Sequence, residues 1–461
     1  MTLLDVKVAT ARAVGGLARR AGRGGGTSLP GKVLIALEPD AIAQLAGRLP
    51  LGSAVVSATN GKTTTAAMIA SVLEGDGVTL VHNRAGANMA GGVASTLLSA
   101  ARSGGRISGE LGLFEIDEFW LDRVTAQLRP RAILLGNLFR DQLDRYGELE
   151  TIADRWAEVV ARLPPTARLV LNADDPLIAD LGRSAPNVTY FGVEDPSVAT
   201  AEMQHAADSK HCRRCGAAYV YDAVYLGHLG RYRCPACGQE RPAPTIAAEQ
   251  IRLAGTRSAS FRLRTPTESV EIELPLPGLY NVYNALGAAA LCLELQATAD
   301  TVAAGLARVA AAFGRAERLQ VQDTEVSILL IKNPAGANEV LRTLTLEDGE
   351  LDLLVILNDR TADGKDISWV WDADFEVLAP RVRSLTCAGT RAAELALRMK
   401  YAGVPVDRLR VVSELAGAFD AAIAEARSRR LFVLPTYTAL LELRHELAAR
   451  GHLRRFWEAR R

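Results

Sequence analysis

The stretch AVVSATNGKTTT, residues 54 to 65, restricts the fold of this chain more than any other segment. An apolar run reads as a strand, it breaks at Ala58-Thr59-Asn60-Gly61, and a helix-like stretch, TTTAAMIASVLEGDG, follows. Strand, tight loop and helix form the unit from which parallel sheets are wound. Gly61 lets backbone N–H groups turn inward around an anionic phosphate, and the helix behind it adds its positive N-terminal end. Lys62 supplies charge, and the Thr63 hydroxyl is of the type that holds Mg²⁺. Thr59, Asn60, Gly61, Lys62, Thr63 and Thr64 are therefore the candidate loop for a nucleoside triphosphate. The general GxxxxGK[ST] pattern is not met, because Val56 stands where its first glycine belongs, so a shorter loop is expected.

From about residue 40 to 200 the theme repeats: LGLFEIDE, RAILLGN and ARLVLNADDP alternate with helix-like stretches such as TIADRWAEVVARL. That alternation predicts a parallel sheet with helices on its faces. Polar residues stand where the strands stop: Thr59 and Asn60, Glu115 and Asp117, Asn137, Asn172. In an open parallel sheet those ends share one rim, and ligands bind there. Glu115 is the candidate carboxylate for Mg²⁺, with Asp117 and Glu118 competing for the role. Residues 205–245 interrupt the pattern and read as an inserted module; antiparallel strands and two helices follow, and a second alternating series begins near residue 319. The expected organisation is a helical segment over 1–39, a central α/β domain over 40–318 carrying the insertion, and a C-terminal Rossmann-like α/β domain over 319–461. The basic start, ending in GRGGG, suggests amphipathic helices packed on the body rather than on a membrane.

A length of 461 residues suits two or three domains at roughly 100 to 200 residues each. No run approaches the about 18 apolar residues of a membrane span. No apolar block with a cleavage site follows the basic start either, so the expected place is the cytoplasm. Lys plus Arg equals Asp plus Glu at 53 each, which argues against a nucleic-acid partner bound through a basic surface.

Of six cysteines, Cys292 and Cys387 lie in apolar runs and read as buried small hydrophobes. The others form Cys212-x₂-Cys215 and Cys234-x₂-Cys237, 18 residues apart, each pair followed by a glycine. This is the spacing of a four-thiolate zinc ribbon, and a site filled by protein ligands leaves no position for substrate, so the Zn²⁺ is expected to be structural.

SATNGKTTT resembles the phosphate loop of the Mur ligases and folylpolyglutamate synthases, with Ala58 in place of the family's glycine. GLYNVYNALGA resembles their adenine-side helix, which implies Asn281 and Asn284 as ATP-binding residues, and FGRAERL resembles their FGRxE segment, which implies Arg315. Together NRAGANMAGG, GNLFRDQLDRYGE, LNADDP, the cysteine pairs, IKNPAGANEVL and ADGKDISWVWDADFE are similar to the MurT family, ATP-binding subunits of lipid II isoglutaminyl synthases. The resemblance implies that ATP and Mg²⁺ activate the α-carboxyl of D-glutamate in the stem peptide of lipid II as an acyl phosphate. Ammonia then displaces the phosphate to leave D-isoglutamine. The lysine that Mur ligases carbamylate has no counterpart: its place falls at about Trp156.

No cysteine stands on a nucleophile turn, which implies that ammonia comes from another polypeptide; the resemblance makes this a GatD-like glutaminase in a heterodimer, working at the inner membrane face where lipid II resides. It further implies that Asp366, in ADGKDISW, orients the partner's catalytic histidine, with Asp363 next in line. Two other readings remain: an amino acid ligase of the same scaffold, told apart by ammonia dependence, and an ATP-gated nucleic-acid binder, told apart by filter binding.

Overall fold

The computed structural model of the chain describes residues 3–20, 28–83, 87–104, 106–141, 149–200, 203, 207–309, 315–426 and 429–453. The first domain is built on β1 (Ser53–Ser57), β2 (Leu80–His82), β3 (Leu111–Glu115), β4 (Ala132–Leu135), β5 (Arg168–Asn172), β6 (Val188–Val193), β9 (Ile246–Ala254), β10 (Ser258–Arg264) and β11 (Ser269–Leu274). They form one nine-stranded sheet in the order β11-β10-β9-β6-β5-β4-β1-β3-β2. Every residue of β1 is buried, as a central parallel strand covered on both faces must be. β1 runs parallel to β3 on one side and β4 on the other, which brings their C-terminal ends to one rim.

Each face of the sheet has its own core. One takes the helices Lys62–Gly75, Leu279–Glu294 and Ala299–Ala307. The other takes Leu121–Leu128, Leu149–Ala161 and the N-terminal helices Leu3–Arg20, Leu29–Leu37 and Ala41–Ala46, whose Leu4, Val8, Ala11, Leu34 and Ile42 are buried there. The GRGGG run lies outside the described residues. The inserted module contributes the hairpin β7 (Val220–Leu226) and β8 (Leu229–Arg233). After it, β9 resumes parallel to β6, and β10 and β11 extend the same sheet in antiparallel fashion.

The second sheet has the order β12-β13-β17-β14-β15-β16, from β12 (Arg315–Val321), β13 (Thr324–Leu329), β14 (Leu351–Ile356), β15 (Val382–Ala388), β16 (Leu409–Val411) and β17 (Arg430–Pro435). β12 begins at Arg315, ahead of the boundary expected at 319, because it pairs antiparallel with β13 and belongs to this sheet. The other five strands are parallel with helices between them, but the last, β17, lies between β13 and β14. That order departs from a Rossmann sheet, in which the chain winds outward both ways from a central strand.

Candidate active site

The phosphate loop leaves β1 and enters the helix Lys62–Gly75 through Gly61 at φ 90°. A side chain there would be strained by the backbone and blocked as well, since an added Cβ would lie 2.0 Å from Asn284 Oδ1. The loop is pinned from the next strand end: Asn60 N–H donates to Asn137 Oδ1 at 2.9 Å, and Asn137 Nδ2 donates to the Asn60 carbonyl at 3.0 Å. Phe139 N–H donates to the Thr59 hydroxyl at 3.1 Å. Thr65 Oγ1 donates to Asn284 Oδ1 at 3.3 Å, and Asn284 in turn donates to Asn281 Oδ1 at 3.1 Å. The two asparagines thus buttress the loop from the helix Leu279–Glu294.

Three carboxylates stand at the end of β3 and just beyond it: Glu115, Asp117 and Glu118. Glu115 accepts from the Thr63 hydroxyl at 3.0 Å, so two oxygens of the kind that hold Mg²⁺ converge at the rim. Glu118 accepts from Lys62 Nζ at 2.9 Å, and the same ammonium donates to the Ala58 carbonyl. Burial works against both charges, but their mutual attraction outweighs it: Lys62 is raised above its ordinary value and Glu118 is lowered below its own. Asp117 is raised, first by burial and then by the charge of Glu118. The Trp156 ring, close to where the resemblance expects the Mur-ligase lysine, is fully buried and donates its Nε1–H to the Glu118 carbonyl at 3.1 Å.

The C-terminal domain closes the site from above the rim with residues to which sequence reasoning gave no role. Lys332 Nζ lies 3.2 Å from the Thr59 carbonyl and 2.5 Å from Asp141 Oδ2. Asn333 and Asn60 exchange amide hydrogen bonds of 3.3 and 3.0 Å, while Asn333 Oδ1 caps the helix Pro334–Thr345 by accepting from Gly336 N–H at 2.8 Å. The signal available was the dipeptide Asn333-Pro334, a cap followed by a first-turn proline. Between the domains lies a cleft with Asn60, Gly61, Thr64, Asn284 and Lys332 in its lining. Arg315 opens β12, but its side chain lies outside the described residues, as do Phe313 and Gly314.

A second cleft shares Lys332 and holds Asp363 and Asp366. Asp363 is buried and occupied by Thr438, whose N–H donates at 2.7 Å. Asp359 is tied to Thr390 and Arg391. Asp366 is exposed and accepts from Ser368 N–H at 2.8 Å, a bond that holds its carboxyl below the usual range.

The four cysteines of the insertion meet, with all sulfurs within 4.8 Å of one another. Cys212–Cys237 and Cys215–Cys234 are 3.5 and 3.4 Å apart, near the roughly 3.8 Å between thiolates on a tetrahedral zinc. Each pair sits on a turn closed by its glycine, Gly216 N–H donating to the Cys212 carbonyl at 2.7 Å and Gly238 N–H to that of Cys234 at 3.1 Å. The donor set and its spacing fit a tetrahedral metal ion. Cys292 and Cys387 are fully buried.

The Mur ligase middle domain family matches residues 56–232, and the MurT ligase C-terminal family matches residues 330–440. The MurT subunit of the glutamine-hydrolysing lipid II isoglutaminyl synthase of Streptococcus pneumoniae is 34% identical over 436 residues, 94% of either chain. Its counterpart from Staphylococcus aureus strain N315 is 33% identical over 394 residues, 85% of this chain and 87% of that one. Among solved structures, a pseudomurein peptide ligase type C from Methanothermus fervidus superposes with a TM-score of 0.65 at 22% identity, covering 86% of this chain and 78% of its own, which shows a shared fold. With a Mur-type phosphate loop, a MurT-type C-terminal domain and relatives that match over nearly its full length, this chain belongs to the MurT family.

Proposed function

We propose that this chain is the ATP-using subunit of a lipid II isoglutaminyl synthase, amidating the D-glutamate α-carboxyl of the lipid II stem peptide. The near full-length match to the S. pneumoniae MurT subunit carries the reading. The chemistry is consistent with it. A carboxylate is a poor electrophile for ammonia, so its oxygen must first take the γ-phosphoryl of ATP, giving an acyl phosphate from which ammonia expels phosphate. The loop amides and the helix start at Lys62 cradle the transferring group, and Lys62 exchanges Glu118 for phosphate oxygens. Thr63 and Glu115 would hold Mg²⁺, which would neutralise phosphate charge when bound. Lys332 adds a positive charge from the opposite domain.

The ammonia comes from a partner glutaminase. Burial holds the Cys387 thiol up at about 12 and pushes that of Cys292 higher still, so neither is a nucleophile at neutral pH. Asp366, exposed where the preceding Asp359 and Asp363 are already engaged, is the carboxylate offered to the partner's histidine. Five residues further along the chain, Trp371 pairs with Tyr401, both half exposed or more with rings 5.9 Å apart, and the two suit a partner's surface. The four cysteines hold a structural Zn²⁺.

Co-expression with a candidate glutaminase, then mass analysis of the stem peptide for a carboxyl-to-amide change, tests the reading. Lys62→Ala is expected to abolish that change in protein that circular dichroism shows to be folded, a check needed because the substitution also leaves the buried Glu118 without its partner. Near wild-type turnover in the purified variant refutes the role of the loop.

A further inference from the structure

By its position the cysteine module belongs to the nucleotide cleft. Leu226 and Leu229, the two ends of its hairpin turn, form part of the cleft wall beside Tyr280 and Tyr283, and both leucines are buried. Leu229 opens β8, and β8 ends at Arg233, directly before Cys234, so one short strand links wall and metal ligand. The turn is gripped by both domains. Gly230 N–H donates to the Asp174 carbonyl at 2.9 Å, and Arg241 Nε donates to the Asp174 carboxylate at 2.5 Å. From the C-terminal domain, Arg342 Nη1 donates to the Tyr225 carbonyl at 2.6 Å. Asp174 also accepts from the Tyr283 hydroxyl at 2.6 Å, and Tyr283 precedes Asn284, the side chain packed on Gly61.

The cleft is chemically divided. Asn60, Gly61 and Lys332 offer donors and charge suited to phosphates, whereas the hairpin offers aliphatic carbon, which gains only from an apolar face such as that of a base. We propose that the cysteine module is the nucleoside-side wall of this cleft: its metal-ordered hairpin sets Leu226 and Leu229 against the base and ribose of the nucleotide, and so governs affinity for the nucleoside half alone. The inference rests on the ATP reading of the cleft.

Calorimetric titration of the complex with its partner, using MgATP and, separately, magnesium tripolyphosphate, tests it in the wild type, in Leu226→Ala and in Cys215→Ser. Leu226→Ala retains its metal, as elemental analysis checks, so it reads the wall without disturbing the knuckle. Both variants are expected to weaken ATP by roughly tenfold, as removal of part of an apolar contact does, and to leave tripolyphosphate unchanged. Unchanged ATP affinity in Leu226→Ala overturns the proposal. So does an equal loss for both ligands in both variants, the mark of a merely structural module. A wild-type complex that binds tripolyphosphate but shows no preference for ATP defeats the ATP reading itself, a result visible before any variant is compared.

Discussion

Lys62 and Glu118 show how one pair ties stability to the poise of the phosphate loop. Both are about a tenth exposed, and each is the other's main compensation for burial. Glu118→Gln leaves the ammonium without its carboxylate and is expected to cost about 3–5 kcal/mol, the usual penalty for breaking a buried pair. Because the folded Glu118 titrates below its ordinary 4.5, the pair contributes fully above that pH, and the contribution is lost as pH falls through the lower folded value. Lys62, raised above 10.5, loses its share only in stronger alkali. Denaturant titrations should therefore find wild type well ahead of Glu118→Gln at neutral pH, with the gap closing in acid below 4.5; a gap that stays constant would separate the pair from folding. Lys62, Thr63 and Glu115 were legible in the sequence because a single strand–loop–helix unit and its neighbouring strand end place them. Lys332 and Asn333 were not, since Asn60 and Asn333 meet across 273 positions that no local pattern encodes.

Among elements, the cysteine knuckles were the most readable, because two short spacings and their glycines dictate a turn almost by themselves. The purified protein is expected to carry one Zn²⁺ per chain, and Cys215→Ser to lose it. Hydrogen exchange should then rise first around the knuckles, where Cys212, Tyr219, Tyr232 and Cys234 form a small cluster of their own, and later in the sheet, whose core also takes Tyr225, Leu226 and Leu229 of the hairpin. A zinc-free preparation with a protected ribbon would contradict this. The alternating strands and helices likewise declared two α/β sheets. What they did not declare was pairing: that β9 would rejoin β6 after the insertion, that β12 would belong to the second sheet, or that β17 would enter between β13 and β14. Strand order is fixed by contacts distant in sequence, and each strand alone fits several neighbours.

At the scale of the whole molecule, the proposed function requires two reactions to meet: phosphoryl transfer on this chain and glutamine hydrolysis on a partner. Asp366→Asn keeps the side chain's shape and removes its charge, so glutamine-dependent amidation should fall by about 10²-fold or more, while added free ammonia should restore much of the ATP-dependent reaction. Glutamine hydrolysis at the wild-type rate would transfer attention to Asp363, although Thr438 already occupies that carboxylate. No helix among the described residues is long and apolar enough to cross a membrane. Nearby, the Asn60–Asn333 exchange bridges the two domains with neutral groups only. An amide facing an amide is electrically silent: no counterion can compete for it and no proton can cancel it. Alongside the ionic contact of Lys332 with Asp141, it gives the domains a point of registry that changes of salt or acidity in the cell leave untouched, and that yields only to something shaped to fit between them.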